Sequence, residues 1–446
     1  MRKPLLLAAL LLPALFGVPT SVQAQEEPTL GKKDYVHPRH PRMDRSRLNI
    51  GTYFLKPYAV NDENVRDAKL CGIDFFLCQE YNKEALDIFY KHKVGVEVAW
   101  VLPSWWGGGA VPGSMAKAQP LSMYEDSARK FRDHPAIWGM DMGDEPSAPD
   151  FEHCGKIMRR MQEMFPNQFI YLNIMPCYAS AADNTDEIAK SQLGATSYQS
   201  YLDTYCRYVP SDYICYDYYT YASLPYQFYD NLTMVSKACK KTDRSHWIVL
   251  QVNSSRPELW LSANQLRYQA NTAMAYGVET IIWACYTAGW WYNQVLDTLG
   301  HKTQQYDKLR QVNSEIHYMA ERYMKYRNIK TYLVGRFPVG QLDTLAFPHR
   351  DEMSSTRFHS LRATDGSALA VGTMKPRRGG RAEALFISSN ADMYDEHPGE
   401  HIIRFRADAK KIRLTRGSST TVLKPVADGY FSLPMRSNEG VFLEAL

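Results

Sequence analysis

Short apolar runs alternate with amphipathic stretches through the first two thirds of the chain. The runs are "LNIGTYFL" (48–55), "GIDFFLCQ" (72–79), "VGVEVAWVL" (94–102), "AIWGMDMG" (136–143), "QFIYLNIM" (168–175), "DYICYDYY" (212–219), "HWIVLQVN" (246–253) and "VETIIWAC" (278–285). Each is rich in β-branched or aromatic residues and bounded by turn residues, the pattern of a buried strand. Between them, "NDENVRDAKLCG" (61–72) opens on Asn/Asp and closes on Gly, and "DFEHCGKIMRRMQEMFP" (150–166) stops at a proline. Ser122 with Glu125, and Ser262 with Gln265, stand at the spacing in which each side chain satisfies an orphan amide of a helix start. Eight strand–helix units predict a (β/α)8 barrel over 47–330. An open doubly wound sheet would also alternate, but "GTYFLKPY" carries a single Gly where a phosphate-binding turn needs several. The helical stretch 304–328 ends the alternation. From 331 onward the short strands "ALAVGTM", "EALFISSN", "HIIRFRA", "KKIRLTR", "TVLKPV", "YFSLPM" and "GVFLEAL" come with no helix between them, predicting an all-β sandwich over 331–446.

Alternation along a strand sends successive side chains to opposite faces. On the fourth run, Trp138, Met140 and Met142 share one parity, and Ile137, Gly139, Asp141, Gly143 and Glu145 the other. The bulky apolar set is expected to face the helices, so the glycine-rich set points inward and carries Asp141 and Glu145 with it. Barrel active sites sit at the C-terminal strand ends, where Glu145 lies and Pro146 turns the chain away. The competing reading of "GDEPSAPD" is an exposed loop. Asp144, of opposite parity, is expected to support the site or cap a helix. Asp217, in the sixth run, is the second acid; the competing reading makes it a structural group bonded to tyrosine hydroxyls. Glu80, Glu97, Asn173, Gln251 and Asn253 stand at other strand ends. Singly each fits a structural role, and together they form a mouth of acids and amides suited to sugar hydroxyls. No histidine cluster or EF-hand-like spacing is present, so neither a metal nor a cofactor is expected.

Aromatic residues change this picture. The chain has 30 Tyr and 9 Trp, and several stand after strands: Trp100, Trp105 and Trp106 after the third, Tyr219 beside Asp217, and Trp283, Tyr286, Trp290 and Trp291 at or after the eighth. Aromatic faces stack on the C–H faces of sugar rings. In the Gly-rich loops "PSWWGGG" and "AGWW" a binding wall is the better reading, whereas Trp138 and Trp260 read as core.

Net charge is +4 over 446 residues, and the densest basic run, "KPRRGGR" (375–381), reads as a solvated turn, so no nucleic-acid partner is implied. Residues 1–24 have a basic start, an apolar stretch and an A-x-A-like end at Val22–Ala24, the pattern of a secretory signal peptide. This predicts export to a bacterial periplasm or beyond. No cysteine marks a lipid anchor at that point, no later run is long enough to span a membrane, and 25–46 reads as an extended leader. Eight cysteines occur without a C-x-x-C or zinc spacing. Cys78, Cys215 and Cys285 read as small buried hydrophobes, while a disulfide involving Cys71 stays open in an exported protein.

The strand order, the fourth-strand ending "DEP" and the segment "LRYQANTAMAYGVETIIWACY" resemble the clan A glycoside hydrolases and their divergent bacterial relatives, in which a C-terminal β-sandwich is common. The resemblance implies a glycosidase barrel acting on a carbohydrate, with the fourth-strand Glu as acid/base. Glu145 matches it, with Asp144 where the clan has Asn. Trp283 matches the clan's eighth-strand Trp. The clan's nucleophile is a seventh-strand Glu, and here Gln251 or Asn253 stands in its place, with Glu258 beyond. Glycoside hydrolysis needs one protonated carboxylic acid and one further carboxylate; Glu145 is the expected acid, and Asp217 ahead of Glu258 the expected partner. The rival expectation is a non-catalytic sugar-binding protein on the same scaffold. A lyase or esterase is a third; the absence of a G-x-S-x-G elbow argues against the esterase.

Overall fold

The computed structural model describes residues 30–337, 350–426 and 428–446. The expected signal peptide, and residues 25–29 of the leader, lie outside them.

All eight expected strands form: β1 (Asn49–Tyr53), β2 (Phe75–Gln79), β3 (Gly95–Val98), β5 (Ile137–Asp144), β6 (Phe169–Ile174), β7 (Tyr213–Asp217), β8 (Ser245–Gln251) and β9 (Val278–Ala284), with a two-residue β4 (Trp105–Trp106) added alongside β5. They pair in parallel, and the β1–β9 and β3–β5 pairings close the ring. The fold is thus an eight-stranded parallel barrel with helices outside it. Side chains of one parity, including Phe75, Leu77, Phe169, Tyr171, Tyr213, Trp247 and Val249, fill the barrel interior. The other parity packs against the helices in one continuous apolar layer.

On β5 this parity holds only in the middle. The register to β3 slips between Ile137 and Gly139, so Trp138 turns inward, against expectation, and stacks on Phe75. A second slip, against β6, falls between Asp141 and Asp144, where Gly143 has φ +144°. One extra residue there reverses the facing of the residues after it. Asp144 therefore comes into register with Asn173 on the inner face.

The helix at 263–275 starts on the expected Ser262–Gln265 box. The helix Leu121–Ala128 does not use Ser122: Pro120 is its cap residue, and Glu125 instead receives Arg160 Nε at 2.5 Å.

The β-sandwich completes the chain, with β10 (Tyr326–Val334), β12 (Leu369–Pro376), β13 (Ala384–Ser389), β15 (Ile412–Arg416), β16 (Ser419–Leu423) and β18 (Gly440–Ala445) in one antiparallel sheet, and β11 (Phe358–Ala363), β14 (Glu400–Ala407) and β17 (Phe431–Arg436) in the other. β10 begins within the segment expected to complete the last barrel helix, which ends at Tyr323. The sandwich is fastened to the barrel through Phe386 and Phe442 around Tyr323, and through Asn390, whose amide donates to Thr272 Oγ1 at 2.6 Å. All eight cysteines are free thiols. Among the described residues no helix is long and apolar enough to cross a membrane.

Candidate active site

A cavity of about 720 Å³ opens at the C-terminal ends of the barrel strands. Four of its lining residues, Phe54, Cys78, Trp100 and Glu145, have φ between 51° and 65°. Non-glycine residues avoid that left-handed region, and such strain concentrates at functional sites. Phe54, Trp100 and Glu145 follow the ends of β1, β3 and β5, and Cys78 is the last residue but one of β2, at its register slip against β3. At Glu145 the backbone is held by its own N–H, which donates to Asn173 O at 2.9 Å.

Three carboxylates meet in the cavity. Glu145 Oε2 accepts from Trp106 Nε1 at 3.2 Å. Asn173 Nδ2 donates both to Asp144 Oδ1 at 3.0 Å and to Asp217 Oδ1 at 2.9 Å. Tyr178 OH donates to Asp217 Oδ2 at 3.4 Å. Among the described residues no cation pairs with any of the three. Removal from water disfavours their ionised forms, and like charges nearby add to the effect. Burial, with Asp217 facing it, pushes Glu145 up to about 7. Burial and Glu145 push Asp144 up to about 7, and burial and Asp144 do the same to Asp217. The three titrate as one group near neutrality, so protonated acid and ionised base coexist there.

The neighbouring loop is fitted to Glu145. A side chain on Gly107 would come within 2.0 Å of the Glu145 carbonyl oxygen, and one on Gly108 within 2.6 Å of Glu145 Oε2. These glycines let "WGGG" close over the acid and bring Trp106 to it. Aromatic walls stand around the carboxylates: Trp106 and Trp100 are 62% and 75% exposed on the rim, while Trp290 packs edge-on to Tyr53 and Tyr219 at 5.4 and 6.1 Å.

Of the residues singled out in the sequence, Glu80, Trp100, Trp106, Asp141, Asp144, Glu145, Asn173, Asp217, Tyr219 and Trp290 line this cavity. Glu97, Trp105, Gln251, Asn253, Glu258, Trp283 and Tyr286 do not. Glu97 is fully buried beneath it, accepting from Cys78 N–H at 2.8 Å, and burial beside Asp141 raises its carboxyl well above the usual range. Trp105 packs into the apolar layer, leaving its neighbour Trp106 in the cavity. Gln251 is spent on Tyr221 N–H (3.0 Å) and Asn253 O (2.9 Å), and Asn253 on Trp290 O (2.7 Å), which fixes the tryptophan loop. Trp283 faces the helices, where its indole donates to Asn313 Oδ1 at 2.9 Å. Tyr286 is buried against Phe76. Glu258 is a solvent-exposed side chain whose nearest charge is Arg256, 3.9 Å away.

The cavity also contains Ser104, which donates to Asp141 at 2.9 Å, Tyr178, and the paired hydroxyls of Tyr53 and Tyr171, 2.9 Å apart. Tyr171 shares the parity of Asn173 and was accessible to the same strand argument. Tyr178 sits in a loop without a local signal. Among the described residues no group of His, Cys, Asp and Glu side chains is arranged to hold a metal ion.

No protein-family profile matches the sequence, and no curated protein matches it. Solved structures similar to this chain include a glucosidase from Croceicoccus marinus (11% identity, 92% of this chain and 97% of that one, TM-score 0.42). A glycoside hydrolase family 5 mannosidase from Rhizomucor miehei is similar at 9% identity (60% and 92% covered, TM-score 0.42). A GH10 xylanase from Thermobacillus composti is similar at 12% identity (60% and 97% covered, TM-score 0.37).

Proposed function

We propose that this protein is an exported enzyme that hydrolyses a glycosidic bond in an oligo- or polysaccharide, with Glu145 as general acid and Asp217 as the second carboxylate. The observation that supports this reading is the trio Asp144, Glu145 and Asp217, poised near neutrality in an aromatic-walled cavity.

Protonated Glu145 donates to the leaving glycosidic oxygen as the bond to the anomeric carbon lengthens. Ionised Asp217, oriented by Asn173 and Tyr178, serves the opposite side of the sugar, either taking a proton from the water that attacks the anomeric carbon or forming a glycosyl ester that water then cleaves, so that the anomeric carbon ends with the hydroxyl of water and the leaving oxygen with the Glu145 proton. Asp144 shares the Asn173 donor with Asp217. Its own negative charge raises Asp217, and that of Glu145 raises Asp144, so ionisation of one member favours protonation of the next. Gln251 and Asn253 are committed to holding loops, which leaves Asp217 as the better candidate for the second role. Trp106, Tyr219 and Trp290 supply faces for sugar rings.

The test is release of reducing sugar from a panel of plant and host glycans by the wild type and by Glu145→Gln and Asp217→Asn. Losses on the order of 10²-fold or more are expected, with unchanged circular dichroism. Near-wild-type turnover in Glu145→Gln would overturn the assignment. The lack of a carboxylate at the β8 end favours a second reading, a sugar-binding protein without turnover. Glycan-array binding with no reducing sugar released from any bound ligand would select that reading instead.

A further inference from the structure

The cavity that holds the carboxylates has two ends of different chemistry. In the barrel ring, β1 and β2 lie halfway round from β6 and β7, the strands that carry Asn173 and Asp217. Over the ends of β1 and β2 the lining turns apolar. Leu55, Pro57 and Val60 come from the segment after β1, and Ala85, Ile88 and Phe89 from the helix Lys83–Lys91 after β2. The last three stand at i, i+3 and i+4, so they share one helix face. Leu55 and Phe89 are buried, whereas Val60, Ala85 and Ile88 are half-buried and Pro57 is exposed. Apolar surface is therefore left uncovered inside the cavity rather than closed into the core.

This end is poorly suited to a second sugar ring. A pyranose stacks on a flat aromatic face, and branched aliphatic side chains offer none. The two phenyl rings here are already engaged. Phe54 has the Lys56 ammonium 4.2 Å over its ring and packs edge-on to Trp290 at 5.9 Å. Phe89 is 1% exposed and packs on Phe76. The exposed indoles Trp100 and Trp106 belong to the segment after β3. The polar residues that also line this end, Glu80, Asn82 and Glu84, are exposed, as groups at a wet rim are.

We infer that this end of the cavity takes an alkyl chain, so that the substrate class is a glycoside of an aliphatic alcohol. The inference rests on the hydrolase reading for which side of the bond the chain occupies. Glu145 follows β5, which lies between β2 and β7 in the ring, so the oxygen it protonates is the one directed toward β1 and β2. The bond from that oxygen to the anomeric carbon breaks, the alcohol leaves with the Glu145 proton, and water supplies the hydroxyl that stays on the sugar. Burial of the chain on Val60, Ala85 and Ile88 then sets which glycosides are held.

The test has two parts. The first titrates the full chain with N-phenyl-1-naphthylamine, an uncharged fluorescent apolar probe, and displaces it with 1-octanol. It compares the wild type with Val60→Ser/Ile88→Ser, and with Val422→Ser, which alters an exposed valine on β16. Saturable binding, displaced by octanol and weakened roughly tenfold or more in Val60→Ser/Ile88→Ser alone, is expected from the loss of apolar contact. No saturable binding, or equal binding in all three proteins, would overturn the proposal. The second part compares methyl and octyl glycosides of glucose, galactose, mannose, fucose and xylose. For the sugar that is cleaved, kcat/KM should rise about two- to fourfold per methylene until the apolar end is filled, and this rise should flatten in Val60→Ser/Ile88→Ser. Equal kcat/KM for methyl and octyl glycosides would sink the leaving-group assignment and leave the hydrolase reading standing. Octanol-displaceable binding with no glycoside cleaved would support the alkyl site while the hydrolase reading fails. Thermal melts of the variants establish that they are folded.

Discussion

The indole N–H of Trp106 points at Oε2 of Glu145 across 3.2 Å, linking the rim of the cavity to its acid. A donor to the carboxylate favours the ionised form, so this contact holds the Glu145 pKa below the value that burial alone would set. Trp106→Phe keeps most of the ring and removes the donor. The alkaline limb of the kcat/KM profile, which reports loss of the acid's proton, should move to higher pH. Turnover should fall about tenfold as the acid loses its orienting bond. An unshifted limb would mean that Glu145 is not the group that limits activity at high pH.

Among the described residues, Asn173 is the one side chain bonded to both Asp144 and Asp217. Asn173→Ala withdraws the shared donor, which favours the protonated form of both acids. The acidic limb of the pH profile, where the second carboxylate must be ionised, is expected to move to higher pH, with kcat lowered by about 10-fold or more. A reduced rate with an unmoved limb would assign Asn173 to packing rather than to electrostatics.

Stability should carry the signature of the same trio. The folded values, about 7, lie above the ordinary values of 3.8 for Asp and 4.5 for Glu. The native state thus binds more protons than the unfolded chain between those limits. The stabilising contribution is full below about pH 4 and is lost as pH rises through about 7. Asp217→Asn removes one member of the trio, so its unfolding free energy should rise relative to the wild type as pH increases from about 4 to about 8, by on the order of 1–3 kcal/mol. A constant offset across that range would contradict the raised values.

Two residues with an apparent claim on catalysis should separate cleanly. Glu258→Gln is expected to leave both turnover and stability within about 0.5 kcal/mol of wild type, because the side chain is exposed and outside the cavity. Trp283→Phe should cost about 1–3 kcal/mol in urea unfolding, through the lost bond to Asn313 and the space left behind, while kcat stays close to wild type. A large kcat loss in either variant would bring that residue back into the site.

The sequence alone determined that the chain makes a barrel followed by a sandwich. Periodicity is a local property, and each of the eight apolar runs carries its own strand signal between turn residues. It also placed Glu145 and Asp217 at strand ends, because both close runs that are otherwise apolar. What tertiary structure decided was which neighbours share the cavity. A slip between Asp141 and Asp144 turned Asp144 inward, and parity counted along one strand cannot register a bulge that exists only against the next. Trp105 and Trp106, identical in type and adjacent, went one to the apolar layer and one to the acid. Gln251, Asn253 and Trp283 stand at strand ends like true site residues, yet their hydrogen bonds go to loops and helices. Burial and partnership arise from packing between segments distant in the chain, and those contacts made the difference between a residue that faces the cavity and one that holds the wall.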